Sequence, residues 1–427
     1  MNKLLHQLPR VLGMVASLLL LTAANTAWAA IDGISGPVFN LTAKADYISA
    51  ADGASIYAWG YANGNGAMQY PGPTLIVNQG DTVTINLSNR LPVPVSIVFP
   101  GQQGVTASGG SAGILAREAA AATGTVSYTF IASQPGTYQY HSGTQPALQV
   151  EMGLLGTLIV RPSVADPLHQ AYGHAGTRFN HEYLFLLTEM DPAIHEQVAA
   201  KVAAGGAISV DTSAWHPVLW FINGRNAPDT MLDANVPWLP TQPYNCMPRM
   251  HAGEKLLMRV VNAGRDLHPF HTHGNNFTLL ARDGRLLESA PGVGPDLASS
   301  DFTLRAVPGQ TYDAIFEWTG KNLAWDVYGH TSATQALAPN EYAPDHGKPI
   351  PVILPNLQDL TFGANYSGSP YLGSFGALPP GQTMVNGAGG YFHMWHSHNE
   401  REIVNNDIFP GGMMTMLIIE PAGVPIP

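Results

Sequence analysis

Residues 268–274 read HPFHTHG and residues 394–398 read MWHSH, so the chain carries two His-x-His pairs, His271 with His273 and His396 with His398. Alternate residues of a strand point to one face roughly 6 to 7 Å apart, so two such pairs on adjacent strands bring four imidazoles together. That is chemistry for a metal ion. Imidazole binds copper, zinc, iron or nickel, and the donor type alone leaves the metal open. Two chelating pairs can also close on a single ion, as in zinc sites. The competing reading is a set of histidines packed or hydrogen-bonded in a core.

The elements that position these residues are predicted to be strands. Charged residues are only 11% of the chain, and 45 Gly with 34 Pro make up about a fifth of it, a mix that favours short strands and turns. PGPTLIVNQGDTVTINLSN (71–89) holds two strands around a Gly-Asp turn, with Val83, Ile85 and Leu87 alternating onto one buried face. SYTFIASQPGTYQYHS (127–142) gives two more, and GLLGTLIVRP (153–162) another. Residues 101–124, rich in Gly, Ala and Ser, read as loop.

A second copy of this pattern follows. HAGEKLLMRVVNAG (251–264) parallels VNQGDTVTINLSN (77–89), GYFHMWHSH (390–398) parallels GTYQYHSG (136–143), and GGMMTMLIIEP (411–421) parallels GLLGTLIVRP. Internal repetition is a better guide to domain count than length. It divides the chain into residues 31–165 and 166–427, with the boundary in the Pro, Gly and polar stretch at 163–180. The second unit adds a strand at 181–188, a helix within 189–205 after an Asp-Pro start, and strands within 302–320. Residues 331–390 form a loop-rich insertion, and so long a connection in a compact domain marks a functional or partner-binding surface.

Residues 1–30 have the form of an export signal: Lys3 and Arg10, an apolar run from Val11 to Leu21, then Ala27-Trp28-Ala29. The run is shorter than the ~20 residues of a membrane span, so the expectation is an exported protein, periplasmic or extracellular, without a span. Loss of Lys3 and Arg10 takes the formal charge from −11 to −13, which argues against nucleic acid as a partner. Cys246 is the single cysteine, so the chain forms no internal disulfide. No phosphate loop, zincin helix or nucleophile elbow stands out.

HPFHTHG preceded by GEKLLMRVVNAGRDL (253–267), and HSH followed by GGMMTMLIIEP, resemble the multicopper oxidases of the cupredoxin superfamily. The resemblance implies an all-β fold of two Greek-key cupredoxin sandwiches and copper as the cofactor. It would give His268 to type 1 copper, His271 to type 2, and His273, His396, His398 and, in the first unit, His141 to type 3. Two-domain relatives imply a homo-oligomer, a trimer, in which His141 meets a neighbour's second unit.

The departures matter as much. The residue between the last two histidines, a cysteine in that family, is Ser397. Val98-Phe99-Pro100 stands where the family has His-Trp-His, and His141-Ser142-Gly143 where it has His-Ser-His. The second type 1 histidine falls on or near Glu402, and Met413 or Met414 would be the axial ligand. A blue centre needs a thiolate, so no type 1 copper and no laccase-type cycle are expected. What remains is a residual type 2/type 3-like copper site, in metal redox or metal handling, or alternatively a metal-free scaffold that binds a partner. If the strand continues through HSHNERE, Glu400 and Glu402 join the imidazole face; otherwise they form a solvated turn with Arg401. Cys246, Met250 and His251 could be a soft cluster, but a lone cysteine reads first as a small buried hydrophobe.

Overall fold

Alternating apolar residues pair into strands at most of the stretches named above. The computed structural model describes residues 31–165, 169–321, 323–349, 369–372 and 390–426. The export signal expected at 1–30 lies outside the described residues, as do residues 350–368 and 373–389 of the insertion.

Thr82–Asn89 turns Val83, Ile85 and Leu87 inward, each at most 1% exposed, a burial worth roughly 1.5–3 kcal/mol per side chain. This strand lies in a five-stranded sheet between Val38–Ser49 and Thr125–Ile131. A four-stranded sheet of Ile34–Ser35, Leu75–Asn78, Leu155–Arg161 and Gly136–His141 faces it. Leu41 and Ile85 of the one meet Val77, Leu158 and Tyr140 of the other in a common core. The stretch expected to be loop, 101–124, instead contains three short strands, Thr106–Gly109, Ser111–Ala112 and Arg117–Glu118. Thr106–Gly109 extends the edge of the five-stranded sheet, where backbone pairing needs no apolar alternation.

A second pair of sheets begins at His181. One is built on His181–Met190, Lys255–Asn262, Thr311–Glu317 and Phe277–Arg282. The other runs Arg249–His251, Met414–Glu420, Gly390–Ser397, His268–Thr272 and Thr303–Ala306 in spatial order. Phe185, Met258 and Phe316 from the first pack with Phe270, Trp395 and Leu417 from the second. The expected helix is Pro192–Ala203, whose N-terminal amide Ala193 N donates to the Asp191 side chain. No helix among the described residues is long and apolar enough to cross a membrane.

The two pairs of sheets meet through buried polar groups. Thr311 Oγ1 donates to the Thr137 carbonyl at 2.6 Å, and Gln139 Nε2 to the Gly309 carbonyl at 2.9 Å. Arg259 bonds Glu182 at 2.9 Å, Thr137 at 3.0 Å and Asp313 at 3.4 Å, and Arg161 pairs with Glu182. This network ties the strand that ends in His141 to the second pair of sheets.

Candidate metal centre

The site is set by strand register. In the sheet holding His268–Thr272, His271 lies directly opposite His396 on one side and Thr303 on the other. Because strand side chains alternate, His271 and His273 share a face and His268 takes the opposite one. His398 continues the pairing past the strand end, its backbone N–H donating to the Pro269 carbonyl at 2.8 Å.

The rings meet as the two His-x-His pairs require. His271 has its ring centre 4.8 Å from that of His273, 5.5 Å from His396 and 4.8 Å from His398. One donor nitrogen each of His271, His273 and His396 lies within 4.8 Å of the others. His398, exposed at the rim, and His141 are not in that group of three.

Outer contacts orient the rings. His396 Nδ1 lies 2.6 Å from the Ser397 carbonyl, which can only accept, so Nδ1 carries the proton and Nε2 presents a lone pair. His141 is held likewise, Nδ1 3.0 Å from the Ser142 carbonyl. Thr303 Oγ1, 2.8 Å from His271 Nδ1, accepts that ring's proton when Nε2 turns to a metal. His396 Nε2 then faces His273 Nε2 at 3.2 Å. A lone pair at that distance calls for a proton or a cation between the rings. Burial first, then the neighbouring imidazoles, push His271 and His273 down to about 4. The rings are therefore neutral at neutral pH, the form that binds metal.

His268 is placed differently from the role the resemblance implies. It is fully buried; its Nδ1 donates to Glu402 and its Nε2 to Glu189, both at 2.9 Å. Ser397 Oγ donates to the same Glu402 oxygen at 2.5 Å, and Asn399 Nδ2 to the other at 2.9 Å. Burial disfavours a charged His268, but the two carboxylates outweigh it and hold the ring up at about 9. An imidazolium with both nitrogens engaged has no lone pair for a metal. With Ser397 and Glu402 in place of sulfur and imidazole donors, these residues do not fit type 1 copper.

The strand ends at Ser397. Glu400–Ile403 forms a 3-10 turn, with the Asn399 side chain accepting from Arg401 N. Glu400 is exposed, whereas Glu402 turns inward to 2% exposure instead of pointing to solvent. Glu189 and Thr303 carried no signal as isolated letters. Glu189 could have been flagged as a lone carboxylate in the apolar run YLFLLTEM. Gly264 makes room for it: a Cβ there would stand 1.9 Å from Glu189 Oε2. Cys246 is buried at 1% exposure with its thiol pushed up to about 12 by burial, and Met250 packs in the same core, which is the small-hydrophobe reading.

Residues 45–165 match the family model described as multicopper oxidase. That stretch, under half of the chain, is similar to a multicopper oxidase domain. The structure of the chain is nearly all β and has the cupredoxin fold seen in multicopper oxidases. Among curated relatives it is 36% identical over 102 residues to multicopper oxidase MCE of Talaromyces pinophilus, covering 23% of this chain and 16% of that one. It is 30% identical over 167 residues to a copper resistance protein A homolog of Pseudomonas syringae pv. tomato, covering 38% and 25%. The chain thus spans only about a sixth to a quarter of the length of these relatives. The blue copper oxidase of Nitrosomonas europaea superposes with a TM-score of 0.54 at 19% identity, covering 89% of this chain and 85% of that one. That likeness carries the fold.

Thr303→Val removes the oxygen behind His271 without touching a donor nitrogen. Copper affinity, followed by competition titration, should fall about 10–100-fold while the fold is kept.

Proposed function

We propose that this is an exported copper-binding protein of the multicopper oxidase kind with a reduced site, in metal redox or metal handling. His271, His273 and His396 would hold the ion, with His398 at its rim and His141 approaching from the first unit, 31–165. The single observation that supports this most is the 3.2 Å approach of His273 Nε2 to His396 Nε2 with the His396 proton fixed on Nδ1. Two imidazole nitrogens on one ion at about 2.0–2.1 Å stand roughly that far apart.

A bound copper ion would supply one-electron chemistry at this point. The chain's own residues supply neutral donors, a hydroxyl at Thr303 and a carbonyl at Ser397 that fix ring orientation, and an opening at His398. His268 lies on the far side of its strand, in the proposal a fixed cation among carboxylates and not a ligand. Assembly into a homo-oligomer that offers His141 to a neighbour's second unit, and partner binding by 331–390, belong to the same proposal.

The test is the double variant His271→Ala/His396→Ala. It should lose bound copper almost entirely after loading and desalting, with its circular dichroism unchanged. Copper retained at the wild-type level would place the metal elsewhere, and a wild-type protein that never binds copper would favour the metal-free scaffold.

A further inference from the structure

A second set of donors lies outside this centre, in the segment that leaves Thr311–Glu317. Asp326, His330, Glu341 and His346 each offer one atom, and the four atoms lie within 4.8 Å of one another. Their side chains are nearly sealed, at 0%, 15%, 2% and 9% exposure. His330 Nδ1 is 3.0 Å from Asp326 Oδ2 and 3.3 Å from Glu341 Oε1. His346 Nδ1 is 2.7 Å from the same Glu341 oxygen and 3.8 Å from the same Asp326 oxygen. Around an ion at about 2.0–2.2 Å, tetrahedral donors stand roughly 3.4 Å apart, and these distances bracket that value.

The surroundings hold the donors in place. Asp326 accepts from Tyr328 N at 2.8 Å and Gly347 N at 2.7 Å, and Glu341 Oε2 accepts from Ala338 N at 2.7 Å. His346 Nε2 lies 2.9 Å from the Gln335 carbonyl, so Nε2 carries a proton and Nδ1 is the atom aimed at both carboxylates. A carbonyl on the far nitrogen of a histidine is the usual outer partner of a metal ligand.

We infer that Asp326, His330, Glu341 and His346 form a second metal site, closed and four-coordinate, for a divalent cation of the zinc class. Two imidazoles with two carboxylates suit such a borderline ion. With every position filled by protein, the site is structural. It clips residues 326–346 into a ring anchored to the core through Trp325 and Val327, both buried. The inference is independent of the copper reading, since it shares no residue with that centre.

Zinc alone is the probe, with the full chain. Wild type stripped by chelator and reloaded should retain zinc stoichiometrically after desalting. His330→Ala/His346→Ala should lose one equivalent of that zinc, and His271→Ala/His396→Ala should keep that equivalent. In wild type, chelation should also speed proteolytic cleavage within 326–346 and zinc should restore protection, a readout that needs no variant to fold. Zinc lost only in the His271→Ala/His396→Ala protein, or no zinc retained and no protection in wild type, would overturn the site and show the cluster to be ion-paired side chains only.

Discussion

His268→Ala should lower the stability of the chain by about 3–5 kcal/mol, the cost of leaving buried charge without its partner. The two carboxylates left behind, Glu189 and Glu402, are 5% and 2% exposed and would have to take up protons or water. The effect carries a pH signature. With the folded ring held at about 9 against an unfolded value of about 6.5, its stabilisation is full below about pH 6.5 and is lost as pH rises through 9. Denaturant unfolding of wild type and variant across that range should show the gap between them closing at the alkaline end. A gap that does not narrow as pH rises through 9 would mean that His268 is neutral and that its two short contacts have another origin.

Ser397→Cys alone should not create a blue copper centre. Restoring the sulfur leaves Glu402 where the second imidazole would stand, and His268 with both nitrogens given to carboxylates. The buried thiol would sit against the Glu402 oxygen that now accepts from Ser397 at 2.5 Å, a neighbour that disfavours the thiolate. Absorption after copper loading should therefore match wild type, without an intense copper-thiolate band. Only a protein that also carries Glu402→His and loses the Glu189 carboxylate should develop one. A strong band in the single variant would show that His268 releases its partners readily.

Much of this architecture is readable because strand periodicity is short-range. Val83, Ile85 and Leu87 alternate in the letters and in the sheet, and HPFHTHG and MWHSH announce rings that meet once their strands pair. What was not legible depends on register or on a turn. Thr303 matters only because it lies opposite His271, thirty-two residues away in sequence. Glu402 becomes a buried acceptor because Asn399 caps a 3-10 turn after Ser397, whereas continued alternation would have put it on the imidazole face. Residues 326, 330, 341 and 346 have no chelating spacing along the chain, and a loop alone gathers them.

The most direct measurement is metal analysis of purified, copper-loaded wild-type protein together with its visible and EPR spectra. Retained copper with the spectra of imidazole ligation and no intense thiolate band is the expected result. A blue preparation, or one that keeps no copper after desalting, would contradict it.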